Sequence, residues 1–183
     1  MELTLAATAL NPVVRADLRW YVAQTKSRHE KKVAEQLSAR TVEHCLPLYE
    51  AVHRWKDRSA RVQLPLFPGY VFLHMAYDDR LRALQVPGMV GFLRFGDKPA
   101  ELGPVDIANL EILRRGMSDR AAEPFPYLTV GRRVRVRTGP FAGLEGVLKR
   151  KKGADRLVVS IDQIQRSVLI EISGAEVFPA ALR

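Results

Sequence analysis

Apolar and polar positions alternate along the chain with two periods. Trp20-Tyr21-Val22-Ala23-Gln24-Thr25 is aromatic and β-branched and reads as a strand. After it, Val33 and Leu37 recur four residues apart, which predicts a helix over roughly 28–40 with those two on its core face. Ser27 with Glu30 has the spacing of a capping box for that helix. Arg28, Lys32 and Gln36 then fall along one polar flank. Leu46-Pro47-Leu48-Tyr49 enters a second strand, and Arg54 to Arg61 reads as the basic tip of a long hairpin. In Tyr70 to Met75, parity places Tyr70, Phe72 and His74 on one face and Val71, Leu73 and Met75 on the other. Both faces are largely apolar, as in a central strand or one with a partner-facing side. Asp78 and Asp79 open a short helix through Gln85, Val86-Pro87-Gly88 turns the chain, and Met89 to Phe95 is a further strand. Pro104 starts and Gly116 stops a last helix, with Ile107, Ala108, Leu110 and Leu113 between them. The order β-α-β-β-α-β-α suits a small antiparallel sheet with helices packed on it.

Residues 117–127 lack periodicity, hold Pro124 and Pro126, and read as a linker. Beyond them the pattern is all strand. Val134 and Val136 alternate with Arg135 and Arg137, and a turn rich in glycine follows. Lys149 to Gly153 is a basic hairpin, and Leu157–Ile161 and Val168–Ile172 are two more strands. About five strands in roughly 55 residues favour a small barrel. The expected fold class is α+β: a tail over 1–17, an antiparallel sheet flanked by helices over 18–116, the linker over 117–127, and a β-barrel over 128–183.

Composition narrows the function. The net charge is +9, and both halves share it. Residues 18–116 carry 16 Lys and Arg against 11 Asp and Glu, and residues 128–183 carry 11 against 5. An acidic partner follows, most simply nucleic acid or a machine built around it. Cys45 is the only cysteine, which leaves no intramolecular disulfide and fits a reducing cytoplasm. His29, His44, His53 and His74 lack ligand spacing, so no metal is expected. No apolar run approaches the ~18 residues that span a bilayer, and Met1 to Asn11 has no basic segment of the kind that begins a signal peptide. There is no glycine-rich phosphate loop, nucleophile elbow or Cys–His constellation. An enzyme and a cofactor are therefore not expected.

Gly139-Pro140-Phe141-Ala142-Gly143-Leu144-Glu145-Gly146 resembles the KOW motif of small SH3-like barrels in transcription elongation factors and some ribosomal proteins. Gly139, Gly143 and Gly146 suit positive φ or close strand approach, and Pro140 pre-sets a turn dihedral. Three upstream blocks extend the likeness. They are Trp20-Tyr21-Val22, Phe67-Pro68-Gly69-Tyr70-Val71-Phe72, and Val86-Pro87-Gly88-Met89-Val90-Gly91-Phe92. With these the chain resembles the NusG family of transcription elongation and antitermination factors across nearly all of 19–179. Leu66 to Tyr70, Leu93-Arg94-Phe95-Gly96 and Pro124-Phe125-Pro126-Tyr127 look like its specialised RfaH-like paralogues, the antiterminators of polysaccharide operons.

The resemblance implies an N-terminal domain that binds the clamp of RNA polymerase and favours processive elongation. Its KOW domain would recruit a small-subunit ribosomal protein or the termination factor Rho. By position, Phe67, Tyr70, Phe72 and Phe92 would form the polymerase-binding surface, with the helix after Asp79 near the opposite jaw. Lys26, Arg28, Lys32 and Arg40 would be nucleic-acid-binding, meeting exposed non-template DNA. Gln36 and Ala39 stand where specialised members have a histidine and an arginine, so any DNA sequence read is not transferable. In the KOW half, Phe141, Ile164 and Arg166 would contact partners. The housekeeping pattern there is Ile-Phe-Gly-Arg, whereas this chain has Gln163-Ile164-Gln165-Arg166, and the loss of aromatic and glycine counts against Rho. A cytoplasmic monomer is expected.

Without the resemblance, the aromatics fit a buried strand and the helix cations a solvated face. A ribosome-associated KOW protein that binds RNA is the competing function, but it has no need of the N-terminal blocks. The β-branched C-terminal segments, interrupted by Pro140 and glycines, predict strands rather than a helical hairpin. That leaves the polymerase site open and the Ile164–Arg166 loop available.

Overall fold

The computed structural model describes residues 17–54, 59–116, 122–125, 131–151, 154–172 and 177–180. The tail before Asp17, the hairpin tip at 55–58, and 117–121 and 126–130 of the expected linker and its boundary lie outside the described residues.

Four antiparallel strands form the N-terminal sheet: β1 (Arg19–Thr25), β2 (Glu43–Cys45), β5 (Tyr70–Met75) and β6 (Met89–Phe92), in the order β2-β5-β1-β6. β5 is therefore central, as its two apolar faces require. β3 (Leu48–Arg54) and β4 (Ser59–Pro65) make the long hairpin between β2 and β5, and β7 (Arg94–Phe95) pairs with β8 (Lys98–Pro99). Alternation along the strands divides the core. Tyr21, Ala23, Val71, Leu73 and Met75 pack with Val33 and Leu37 of α1 (Glu30–Ala39) and with Ala83 of α2 (Arg80–Leu84). On the opposite face, Val22, Cys45 and Phe72 join Leu110 and Leu113 of α3 (Pro104–Gly116).

The first helix begins at Glu30, two residues later than its polar pattern predicts, and the expected capping box does not form. Glu30 is instead buried and accepts a hydrogen bond from the Gly69 N–H at 2.8 Å. Its place in the first turn of α1 is favourable for a negative charge. The carboxylate thus ties the start of α1 to the turn before β5, a long-range contact that a local spacing rule cannot show.

The C-terminal part is one antiparallel sheet ordered β14-β10-β11-β12-β13-β9. Its strands are β10 (Arg133–Val136), β11 (Glu145–Lys151), β12 (Ala154–Ile161), β13 (Arg166–Glu171) and β14 (Val177–Pro179), the five expected, with a sixth, β9 (Ala122–Phe125), from the stretch read as linker. Proline does not prevent this, because β9 ends the sheet and needs donors on one side only. One sheet face carries Val134, Val136, Leu157, Val159, Ile161, Val168 and Ile170 into the core. Gly139 and Gly143 take φ of 85° and 90° in the turn. At Gly146 a Cβ would overlap the Val158 carbonyl oxygen, so only glycine lets β11 and β12 approach.

The two parts touch through α3. The Asn109 side chain, 3% exposed, donates to the Glu145 carbonyl and accepts from the Glu145 N–H, both at 3.0 Å. The side-chain amide so acts as a one-residue strand partner for the edge of the turn. Gln163 Nε2 donates to the Glu101 carbonyl at 3.0 Å.

Candidate functional site

The turn Leu66-Phe67-Pro68-Gly69 is fixed from three sides. The Leu66 N–H donates to Pro47 O, the Thr25 N–H donates to Gly69 O, and Glu30 receives the Gly69 N–H. Gly69 takes φ of 85°, a conformation that costs a side-chain-bearing residue about 1 kcal/mol or more. This turn delivers Tyr70 to the start of β5 with its ring half-buried against the α3-side core.

The four aromatics expected at one surface are not brought together. Phe67 and Phe72 are 1% and 0% exposed and meet edge to face at 5.7 Å. They are core residues beneath the surface, which accords with the preference of strand aromatics for burial. Phe92 pairs across from Ala23, so it lies on the α1/α2 face rather than with Tyr70. There it packs against Tyr21 and Tyr77, with ring centroids 6.1 and 5.5 Å away. Tyr70 alone of the four reaches solvent on the α3 side.

The cations separate in a similar way. Lys26, Arg28 and Lys32 are exposed on the turn before α1 and its first turn. That turn is held by Lys26 N–H to Gly88 O at 2.8 Å and His29 N–H to Lys26 O at 3.1 Å. Arg28 occupies the left-handed region at φ 62°. The N-terminal dipole of α1 adds to their positive field. Arg40 is committed elsewhere. Its guanidinium donates to the Arg82 and Gln85 carbonyls at the end of α2, and Arg82 donates back to Arg40 O at 2.8 Å. It joins two helix ends, in the manner of cations that satisfy terminal carbonyls.

In the C-terminal sheet the expectation of an available loop is corrected. Phe141 and Ile164 are 2% and 6% exposed, within the hydrophobic cluster that also contains Leu110 and Leu113 of α3. Arg166 is exposed at the start of β13. Gln165 holds φ of 47°, at the position where the housekeeping pattern has glycine. The bend survives although the residue that suits it is absent.

Cys45 forms no reactive centre. Burial, reinforced by the nearby Glu111 charge and opposed by Arg114, raises its thiol from 9.0 to about 11. Burial and the Glu101 charge likewise raise the Tyr21 phenol. Among the described residues, no group of His, Cys, Asp and Glu has the arrangement of a metal site, and no helix is long and apolar enough to cross a membrane.

An antiparallel N-terminal sheet flanked by helices, a basic turn, and an all-antiparallel C-terminal sheet with a glycine-rich hairpin define a two-part α+β protein. The family model described as "Transcription termination factor nusG" matches residues 18–111. The chain is 29% identical over 172 residues to the transcription termination/antitermination protein NusG of Vibrio vulnificus, covering 87% of this chain and 94% of that one. To its namesake in Lactococcus lactis it is 26% identical over 182 residues, covering 88% and 93%. A solved structure described as "Domain interaction in Thermotoga maritima NusG" shares the fold with a TM-score of 0.53 at 23% identity, covering 87% of this chain and 96% of that one. The chain belongs to the NusG family of transcription termination and antitermination factors, which are not enzymes.

Proposed function

We propose that the chain binds the clamp of RNA polymerase through the N-terminal domain and promotes processive elongation as a specialised, RfaH-like member of the family. The observation that carries this reading is the Leu66–Tyr70 turn. Its backbone is over-determined by Glu30, Thr25 and Pro47, yet it presents a half-buried tyrosine at a surface edge. Such rigidity is what an aromatic anchor needs, because little side-chain freedom is then lost on binding. Phe67 and Phe72 support the anchor from below and need not touch the polymerase. Lys26, Arg28 and Lys32 would hold displaced non-template DNA, and the C-terminal sheet would recruit a ribosomal protein through Arg166 once Phe141 and Ile164 are uncovered. The paralogue reading draws on Leu93-Arg94-Phe95-Gly96, which forms part of an exposed hairpin with Phe95 61% exposed at its tip.

Reconstituted transcription tests the proposal. The full chain should shorten pauses, and Tyr70→Ala should weaken polymerase binding by ~2 kcal/mol, roughly thirtyfold, at unchanged fold. Wild-type affinity in a folded Tyr70→Ala protein would remove Tyr70 from the interface.

A further inference from the structure

One end of the N-terminal sheet carries a cavity that polymerase binding leaves unused. It measures about 190 Å³ and opens between the edge strand β2 and α3. Trp20, Cys45, Ile107 and Leu110 form its apolar walls. The Trp20 indole is held by a stack with His74, ring centroids 5.0 Å apart and planes 16° from parallel. Cys45 is buried and its thiol, raised to about 11, is uncharged at neutral pH, so it serves as an apolar wall. The rim carries both signs of charge, Glu43 from β2 and Arg114 from α3. Glu43 gives Oε2 to His74 at 2.6 Å, and its Oε1 has no partner among the described residues. Glu111, also at the rim, is paired with Arg115 at 3.1 Å. Arg114 forms no ion pair among the described residues, yet its charge is felt at Cys45. A carboxylate and a guanidinium thus border one cavity without closing on each other.

We propose that this cavity binds a free aromatic α-amino acid, with the ring against Trp20, the ammonium on Glu43 and the carboxylate on Arg114. An apolar cavity of ~150 Å³ holds benzene, so about 190 Å³ accepts a phenyl ring with its methylene. A ring placed against Trp20 gains more than the area it buries. The rim selects a zwitterion: a simple carboxylate would meet Glu43 as a like charge, and a simple amine would meet Arg114. The site is also separate from the polymerase anchor. Trp20 pairs with His74, and Gln24 pairs with Tyr70. The two sites therefore stand four residues apart along β1, about 13 Å. Loss of amino-acid binding and loss of clamp binding are distinguishable.

NMR titration of the full chain with L-phenylalanine tests this, with phenylpropionate and phenethylamine as ligands that each lack one charge. Phenylalanine should shift the resonances of Trp20, Cys45 and Leu110 with a Kd on the order of 1 mM. Each analogue should bind about tenfold more weakly. Glu43→Gln should weaken phenylalanine about tenfold and leave phenylpropionate no weaker. Arg114→Gln should weaken phenylalanine about tenfold and leave phenethylamine no weaker. Both residues are exposed, so these variants keep the fold. Tyr70→Ala should leave phenylalanine binding unchanged. Unmoved resonances at about 20 mM phenylalanine, either analogue bound as tightly as phenylalanine, or wild-type phenylalanine affinity in either rim variant would each overturn the proposal.

Discussion

Gln165 shows how a single residue records a departure from the family pattern. Its φ of 47° is the conformation glycine adopts at little cost. A side chain there costs about 1 kcal/mol, partly offset because glycine gives the unfolded chain more freedom. Gln165→Gly should therefore raise stability by about 0.5 kcal/mol, visible as a higher thermal midpoint; an equal or lower midpoint would show that the Gln165 side chain contributes more than its backbone costs. The Cys45 thiol carries a pH prediction. Its folded value of about 11 lies above its unfolded value of 9.0, so its contribution to stability is complete below pH 9 and is lost as pH rises toward 11. In the native protein at pH 8 it should resist a thiol reagent that labels the unfolded chain at once, and rapid native labelling would contradict its burial. Cys45 was legible as a lone cysteine; its inertness was not, because α3 closes over it from more than sixty residues away.

The elements follow the apolar pattern where contacts are local. Helix α3 runs over Pro104–Gly116, with both end signals in place, and central β5 carries the two-faced pattern its position requires. The misreadings concern contacts at long range. Ser27 and Glu30 have the spacing of a capping box, but the part-buried Gly69 N–H offers the buried Glu30 carboxylate a partner and wins. Glu30→Ala leaves that part-buried N–H without its carboxylate partner and should cost roughly 1 kcal/mol; denaturant unfolding measures it. Strand β9 was hidden because Pro124 and Pro126 signal a linker, whereas an end strand tolerates the donor missing at Pro124. Among the cations, Lys26→Ala, Arg28→Ala and Lys32→Ala should each lower the salt slope of single-stranded DNA binding by up to about 0.7 without loss of stability. Arg40→Ala should do the reverse, leaving the slope and costing about 1 kcal/mol through its lost carbonyl contacts. A salt slope that fell in Arg40→Ala alone would return that residue to the DNA surface.

Across the whole molecule, the fold class and two-part order were legible because the period of the apolar pattern changes near residue 117. The contact between the parts was not. Asn109 looks like an ordinary polar helix position, and only the fold shows its amide paired with the Glu145 backbone. Asn109→Ala should loosen this contact, expanding the radius of gyration in small-angle scattering; an unchanged radius would mean that apolar packing around Phe141 and Ile164 holds the parts together alone. The central claim is that the Leu66–Tyr70 turn meets the polymerase clamp, and site-specific cross-linking tests it most directly. With benzoylphenylalanine at position 70 and, as control, at exposed Glu35 on α1, the account predicts a cross-link to the clamp from position 70 and none from position 35. A clamp cross-link from position 35 with none from position 70 would contradict it.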